Sequence, residues 1–311
     1  MPFLSGEIRD ENNALLADAT VRAYGRDTGG LLISGRSSSG SAEIPADPHF
    51  ANVSLLMHCE GAHNSPVVTD SSPTPKALIP NGLVRLAAGQ GKFGSSGLYF
   101  DALTQYLDSY GDNTGWTMGS GDFTVELFYK MSVLPDAYGR PLITTYNSSN
   151  NEAFMLALYP TKAYFYARST TGLVVVAGDS PAGIDYEWHH LAGVRDGNTL
   201  RLFVDGVQVK QGVISGELVS LNGLNIARLK SRTYVGFLGY MDEIRITQGI
   251  ARYTSAFTPP TAPFTGLDSV PALGTGEFRL ETSYNAEVQV IALDPDDGTH
   301  SNDLILRTLP V

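Results

Sequence analysis

Residues 189–210 read HHLAGVRDGNTLRLFVDGVQVK, with two Asp-Gly pairs set between runs in which apolar and polar residues alternate. Alternation with a period of two is typical of a strand with one buried face. Asp-Gly suits a tight hairpin turn, because glycine takes positive φ at little cost. The stretch therefore predicts three antiparallel strands, at residues 189–194, 199–204 and 207–210, joined by two turns.

The same pattern fills most of the chain. Short alternating runs, such as residues 123–128 and 163–167, are separated by Gly, Asn, Asp or Pro. Hardly any segment has the apolar spacing of an amphipathic helix. The length of 311 residues exceeds the size at which single cores usually stop growing. The sequence therefore predicts an all-β protein with more than one domain.

The charge and the N-terminus exclude several classes of partner. The formal net charge of −11 repels phosphate backbones, and no local cluster of Lys and Arg stands out, so no nucleic-acid partner is expected. The first residues lack the basic start and long apolar run of a signal peptide. No window approaches the roughly 20 apolar residues of a membrane span. We expect synthesis in a host cytoplasm and no membrane insertion.

The two ends of the chain differ from its middle. Each end supplies three strand candidates: residues 4–9, 20–26 and 31–36 at the start, and residues 277–281, 287–293 and 303–308 at the finish. Three isolated strands are marginally stable alone, whereas six can form a small β-sandwich. The ends are therefore expected to fold together.

The seams between ends and middle support an insertion. Residues 40–44 and 274–278 both have the form Gly-x-x-Glu-apolar, and both are bordered by Ser/Gly-rich or Pro-rich linkers. Hairpin tips tolerate domain insertion well. We predict a split domain of residues 1–47 plus 272–311, an inserted domain of residues 52–265 and a linker of residues 266–271. The alternative is two separate end pieces that pack on the middle domain.

Ordered motifs in the middle segment resemble a known family. They are VSLLMHCEG at 53–61, KFGSSGLYFD at 92–101, GDFTVELF at 121–128, GYMDEIRI at 239–246 and ARYTSAFTPPTAPF at 251–264. The set resembles the LamG-like jelly roll of the concanavalin A-like lectin/glucanase superfamily, in the version common in tailed-phage structural proteins. The resemblance implies a jelly-roll β-sandwich. Glu60 and Ala102 depart from the family, which often has Asp and usually has Gly there.

The ends look like another kind of module. Residues 20–24 and 302–307 are similar to the small immunoglobulin-like or carboxypeptidase-regulatory-like sandwiches of phage proteins. The predicted fold is therefore a LamG/concanavalin A-like jelly-roll β-sandwich inserted into a small split immunoglobulin-like/carboxypeptidase-regulatory-like β-sandwich.

Catalytic carboxylates are not expected. Glucanases of the superfamily need acids on one strand in the pattern Glu-x-Asp-x-Glu or Glu-x-Asp-x-x-Glu, and this spacing does not occur in the sequence. Glu126 has no carboxylate two residues away. Asp242 and Glu243 are adjacent, so strand alternation is expected to point them to opposite faces. The protein is predicted not to be an enzyme.

The resemblance implies one structural Ca²⁺. Its ligands would be Asp242, Glu60 and loop carbonyls near Gly94, an oxygen-only set that suits calcium. The alternative is that Asp242 caps or pairs locally, with an arginine as one partner, and that Glu60 faces solvent.

The glycan-binding candidates are aromatic residues expected to be exposed: Tyr146, Tyr159, Tyr164, Tyr166 and Trp116. Alternation puts Tyr164 and Tyr166 on one face of a strand, opposite Phe165. Core packing or edge coverage is the alternative for each ring. A tyrosine-rich surface suits contact with proteins equally well.

These features together predict a non-enzymatic phage virion protein of the tail tip or baseplate, with a lectin-like domain that attaches to a host-surface glycan. The alternative is a purely structural capsid decoration or tail protein that makes only protein contacts. Other virion proteins are the expected partners, with several copies in each particle. The expected location is the virion.

Overall fold

The computed structural model describes residues 3–7, 20–25, 31–36, 47–111, 114–146, 152–180, 183–219, 221–232, 234–266, 277–281, 287–293 and 304–307. In the first three and last three of these ranges, only the strand backbone is described. The chain divides into two compact units: Met1–Ala46 with Asp268–Val311, and Asp47–Leu267.

The described secondary structure consists of strands and one short 3₁₀ turn at Phe50–Asn52. No helix in this part of the chain has the length and apolarity needed to cross a bilayer. The strands, in chain order, are β1 (Phe3–Glu7), β2 (Thr20–Gly25), β3 (Leu31–Arg36), β4 (Val53–Met57), β5 (Ile79–Asn81), β6 (Arg85–Ala88), β7 (Ser96–Phe100), β8 (Tyr106–Asp108), β9 (Phe123–Met131), β10 (Arg140–Tyr146), β11 (Phe154–Tyr159), β12 (Lys162–Ser169), β13 (Gly172–Asp179), β14 (Trp188–Asp196), β15 (Thr199–Val204), β16 (Val207–Val213), β17 (Gly223–Ile226), β18 (Gly239–Gln248), β19 (Glu277–Glu281), β20 (Glu287–Leu293) and β21 (Leu304–Arg307).

The unit formed by the two chain ends contains strands in all six segments where the sequence predicts them. β1 pairs with β19, and a four-stranded sheet has the order β21-β20-β2-β3. The domain bounds of residues 1–47 plus 272–311 and of residues 52–265 stay a prediction, as does insertion of the middle into a small sandwich. Most of the predicted linker, residues 266–271, lies outside the described residues.

The middle unit contains two antiparallel sheets. One has seven strands in the order β13-β12-β11-β10-β17-β8-β5. The other has eight, in the order β16-β15-β14-β9-β18-β7-β6, with β4 paired to β18. The predicted meander of residues 189–210 forms β14, β15 and β16. The all-β sandwich prediction is thereby confirmed.

Apolar side chains from both sheets meet in one core. Phe123 of β9 lies 5.5 Å from Phe154 and 6.1 Å from Phe165, measured between ring centroids, and all three rings are fully buried. Alternate residues of β12 are buried, as expected for a strand that turns one face to the core and the other outward. The sandwich therefore has two outer faces, one on each sheet.

The outer face of the eight-stranded sheet is covered by residues 249–266, here called the C-terminal strap. Phe257 of the strap donates its backbone N–H to the Gly206 carbonyl at 3.0 Å. Its ring stacks on Tyr253 at a centroid distance of 3.6 Å and contacts Phe203 of β15 at 5.4 Å. Phe264 packs against Phe128 of β9. The strap therefore removes most of this face from solvent.

A buried ion network lies between the strap and this sheet; it comprises Asp47, Glu126, His190, Arg245, Arg252 and Tyr253. Glu126 of β9 is fully buried and accepts hydrogen bonds from Arg245 Nε at 2.9 Å, Tyr253 Oη at 2.8 Å and His190 Nε2 at 3.1 Å. Arg245 and Arg252 also bond Asp47, at 3.2 and 2.6 Å. Burial alone would raise the pKa of Glu126, but the Arg245 charge and the His190 hydrogen bond outweigh it and lower the pKa to about 2.

The first and last described residues of the middle unit meet. The Asp47 backbone N–H donates to the Gly266 carbonyl at 2.9 Å. Asp47 is itself held by both arginines of the ion network. The chain therefore enters and leaves this unit at one point on its surface.

Replacing Glu126 with Gln is expected to destabilise the protein by about 3–5 kcal/mol, because Arg245 keeps its buried charge and loses its carboxylate. Urea denaturation followed by tryptophan fluorescence measures this change. Asp196→Asn removes the partner of Arg201 in a largely solvated pair and is the control, with an expected cost below about 1 kcal/mol. Equal effects of the two substitutions would contradict the assigned role of Glu126.

The same network sets a dependence on pH. Since the folded pKa of Glu126 is lowered from 4.5 to about 2, its stabilising contribution is fully present above about pH 4.5 and is lost as the pH falls towards 2. Wild-type stability is expected to fall over this window more steeply than that of Glu126→Gln. Parallel curves for the two proteins, measured by urea denaturation at each pH, would show that Glu126 does not carry the effect.

Residues 47–266 expressed alone are expected to unfold in one cooperative transition, because their core and the meeting point of their ends are internal to the unit. Circular dichroism and thermal scanning measure this. Loss of cooperativity in the excised unit would contradict the predicted domain division.

Candidate functional site

The outer face of the seven-stranded sheet carries the tyrosines singled out from the sequence. On β12, Tyr164, Tyr166 and Arg168 are partly exposed, while Phe165 between them is fully buried. Tyr159 ends β11, pairs in register with Lys162, and lies with its ring 4.4 Å from that of Tyr164. These three rings form what we call the tyrosine face.

Two of the candidate aromatic residues are not exposed, so their predicted exposure is wrong. Trp116 is fully buried in the main core, where its large apolar ring is best accommodated. Tyr146 of β10 is 7% exposed, and its hydroxyl donates to Asp108 Oδ1 at 2.7 Å. Burial and the adjacent Asp108 carboxylate raise the pKa of Tyr146 well above its usual range. Tyr146 therefore positions Asp108 and has little surface to offer a ligand.

Residues 228–232, here called the cationic loop, interact with side chains of this sheet. The Arg228 guanidinium lies 4.0 Å from the centre of the Tyr106 ring. Lys230 Nζ lies 3.1 Å from Asp108 Oδ2 and 4.4 Å from the Tyr146 ring centre. Ser231 donates its hydroxyl to Glu152 at 3.1 Å. The loop thus reaches strands β8 and β10 and Glu152, which lies two residues before β11.

The sequence interpretation missed this loop. Its signal is the order Arg-Leu-Lys-Ser-Arg, which places a cation at every second position of an acidic chain.

Glu152 links the cationic loop to the tyrosine face. Its carboxylate is 7% exposed, accepts the Ser231 hydroxyl, and shares a hydrogen bond with the Tyr166 hydroxyl. Burial and the Glu152 charge raise the pKa of Tyr166, while the Arg168 cation works in the opposite direction. Tyr166 therefore stays protonated and donates its hydrogen to Glu152, which fixes the ring in place.

Unsatisfied polar atoms concentrate on this sheet. Within the described residues, four buried side-chain atoms have no hydrogen-bond partner: Arg140 Nε, Arg168 Nε, Asn225 Oδ1 and His190 Nδ1. The first three belong to β10, β12 and β17 of the seven-stranded sheet. Asn225 and Arg168 lie on its outer side, since their neighbours Leu224, Ile226 and Ala167 are in the core. Such atoms usually bond to water or a ligand.

A shallow depression of about 160 Å³ adjoins Tyr159 on this side of the sheet. Its lining includes Tyr138, Pro141, Met155, Leu229 and Val235. Much of this space is open solvent, and the depression encloses almost no volume, unlike the roughly 300–1,000 Å³ clefts that hold drug-sized ligands. The face suits an extended ligand that lies along the surface.

The predicted calcium residues form an acidic cluster elsewhere, at the loop before β7. Asp242 Oδ2 accepts the backbone N–H groups of Lys92 and Phe93 at 2.7 and 3.0 Å, and its Oδ1 accepts that of Glu243 at 2.9 Å. Glu60 accepts the Ser95 N–H at 2.9 Å and its hydroxyl at 2.5 Å. At Gly94, a side chain would collide with the Glu60 carboxylate. The two acids therefore hold residues 92–95.

The expectation that Asp242 and Glu243 point to opposite faces is wrong. The pairing of β18 with β9 shifts between Asp242 and Arg245, and Glu243 has φ of +47°, which marks a β-bulge. The extra residue breaks the alternation. Asp242 pairs with Phe128, and Glu243 accepts the N–H of Phe264, so both carboxylates lie on the strap side of the sheet.

This cluster meets one requirement of a calcium site and fails another. The cluster brings together the carboxylate oxygens of Glu60, Asp242 and Glu243, and burial with the other two charges raises the pKa of Asp242 to about 8. However, the loop offers N–H donors to Glu60 and Asp242 where calcium requires carbonyl oxygens. No group of three His, Cys, Asp or Glu side chains in the described residues is arranged to hold a metal. As arranged, the residues do not fit Ca²⁺, and the calcium site stays a prediction.

If the predicted site forms, 1 mM CaCl₂ should raise the melting temperature above that in EDTA, and MgCl₂ should not, because Ca²⁺ accepts irregular oxygen sets that Mg²⁺ does not. Glu60→Gln should remove the rise, whereas Asp101→Asn, at an exposed acid paired with Arg85, should keep it. Identical melting curves in calcium and EDTA would refute the prediction.

Residues 102–251 match the Laminin_G_3 family, described as the Concanavalin A-like lectin/glucanases superfamily. No curated protein matches the chain.

Several solved structures are similar in fold. The binding domain of Paraclostridial Mosquitocidal Protein 1 is 13% identical, with a TM-score of 0.51 over 67% of this chain and 50% of that one. The binding domain of botulinum neurotoxin serotype D is 10% identical, with a TM-score of 0.49 over 65% and 49%. That of serotype C1 is 10% identical, with a TM-score of 0.48 over 65% and 50%.

The chain spans about half the length of these structures. At such low identity, the likeness concerns the fold alone. The family match and the two-sheet architecture agree with each other. Residues 102–251 therefore match the concanavalin A-like lectin/glucanase superfamily and lie in a unit with the two-sheet architecture.

Proposed function

We propose that this chain is a non-enzymatic tailed-phage virion protein of the tail tip or baseplate, and that its tyrosine face binds a host-surface glycan. The observation that carries the glycan proposal is the placement of Tyr159, Tyr164 and Tyr166 together on the outer face of the seven-stranded sheet. The strap covers the corresponding face of the other sheet. The seven-stranded sheet thus offers the accessible aromatic surface.

The chemistry of the tyrosine face suits a sugar. Saccharides present C–H groups on one side of the ring and hydroxyls around the rim, and the half-exposed aromatic rings can pack against the C–H side. The hydroxyls need hydrogen-bond donors and acceptors, which the partly exposed Tyr164 hydroxyl and Arg168 guanidinium can supply. The shallow surface also suits an extended polymer better than a small molecule.

The acids beside and behind this face support a binding role. Asp108 is fully buried and holds Tyr146, Asn225 and Lys230, and these bonds keep its pKa low despite burial. Glu152 is engaged with Ser231 and Tyr166. A general acid at neutral pH needs a raised pKa and access to the substrate, whereas Asp108 is buried and its pKa is lowered.

The virion assignment rests on the resemblance of residues 251–264 and of the end segments to tailed-phage structural proteins. A shallow surface site gains strength by repetition, so several copies in each particle, held by other virion proteins, suit weak glycan binding. Mass spectrometry of purified particles from the phage that encodes this sequence tests the location. Absence of the chain from infectious particles would overturn the assignment.

A glycan array is expected to show saturable binding that Tyr164→Ala combined with Tyr166→Ala weakens at least tenfold, a loss of about 1.4 kcal/mol. Tyr186→Ala is the matched control, since Tyr186 is 54% exposed and adjoins β14 in the other sheet. Binding that survives the double substitution would move the site elsewhere, and a flat array would overturn glycan attachment.

A purely structural role is the second candidate, and the free edge of the seven-stranded sheet favours it. β13 ends the sheet, and residues 173–177 read LVVVA, with Leu173 and Val175 45% and 50% exposed. Uncharged edge strands readily pair with another chain. If protein contact is the role, Val175→Lys should abolish assembly in light scattering and leave the array unchanged.

A further inference from the structure

We propose that the ligand of the tyrosine face is an acidic saccharide whose carboxylate is bound by Arg168, with Arg232 supplying additional positive charge. This inference rests on the proposed glycan-binding function and names the chemical class of its ligand.

The arginines of the described middle unit fall into groups according to whether they bind a carboxylate, a backbone carbonyl or neither. Five are paired with carboxylates: Arg85, Arg140, Arg201, Arg245 and Arg252. Arg195 is 1% exposed and donates to three backbone carbonyls. The remaining three are Arg168, Arg228 and Arg232, and each adjoins a tyrosine of the seven-stranded sheet. Arginines without a carboxylate or carbonyl partner thus gather at one place on a protein of net charge −11.

Arg168 is the best placed of these three. It lies two residues after Tyr166 on the same outward side of β12, and its Nε has no hydrogen-bond partner in the described structure. Its cation lies close enough to Tyr166 to oppose the rise in that tyrosine's pKa. The guanidinium therefore lies beside the rings and has an N–H group without a hydrogen-bond partner in the described structure.

Arg232 supports the same position from the cationic loop. It is exposed, and its charge acts on Tyr159. Arg228 is occupied by the Tyr106 ring and Lys230 by Asp108. The cations of the sheet and loop outnumber the carboxylates, which favours an anionic ligand: they are Arg140, Lys162, Arg168, Arg228, Lys230 and Arg232 against Asp108, Glu152 and Asp179.

The chemistry of a guanidinium specifies the ligand further. Arginine presents parallel N–H donors that match the two oxygens of a carboxylate, and the resulting bonds are stronger than bonds to a neutral hydroxyl. A neutral sugar would offer the Arg168 guanidinium only ordinary hydroxyl bonds. A uronic-acid or sialic-acid residue stacked on Tyr164 or Tyr166 would place its carboxylate beside Arg168.

The experiment compares matched saccharides on the full-length protein. Oligogalacturonates and sialylated oligosaccharides are arrayed beside the same compounds with the carboxyl group methyl-esterified, which removes the charge and keeps the sugar. The free acids are expected to bind at least tenfold more tightly, consistent with one charge-assisted bidentate contact. Raising NaCl from 50 to 500 mM should weaken the acids more than the esters.

Arg168→Gln should erase the preference for the free acid and leave the melting temperature unchanged, because Arg168 forms no ion pair within the described part of the chain. Arg201→Gln, at a surface arginine of the other sheet, is the control and should keep the preference. Equal binding of acids and esters that still depends on Tyr164 and Tyr166 would overturn the acidic class alone. Binding to no saccharide at all would overturn the proposed function, and this inference with it.

Discussion

The ion pair between Glu126 and Arg245 determines which surface of the middle unit is closed. It lies on the outer side of the eight-stranded sheet, and through Tyr253, Arg252 and Asp47 it fastens the strap over that side. A charge left unpaired in this position would be costly, so the strap and the sheet stabilise each other. One outer face of the sandwich is therefore covered by the protein's own chain.

The other outer face is organised by different interactions. Its acids are held in place by tyrosine hydroxyls and by the cationic loop, as with Glu152 between Ser231 and Tyr166. These interactions leave the rings partly exposed, with the Arg168 side chain beside them. One outer face is therefore covered by the protein's own chain, and the other carries partly exposed aromatic and basic side chains.

Local pattern explains what the sequence could predict. Alternation along β12 correctly placed Tyr164 and Tyr166 together, because strand geometry has a fixed period of two. Alternation gave the wrong side for one carboxylate at Asp242 and Glu243. A β-bulge inserts an extra residue at Glu243, and no local sequence pattern predicts this bulge. Local pattern also failed for Trp116, whose burial depends on contacts distant in sequence. The basic composition of the cationic loop can be seen in the sequence. Its position beside β8 and β10 cannot be predicted, because these segments come together only in the folded chain.

The hydrogen bond between Asp47 and Gly266 has a mechanical consequence. When the polypeptide is pulled on both sides of the middle unit, the force is transmitted directly between Asp47 and Gly266. It does not pass through the strands of the sheets. Asp47 is also anchored by Arg245 and Arg252, so the junction resists shear beyond the strength of one backbone contact. The sandwich can thus keep its shape while the chain that carries it is pulled.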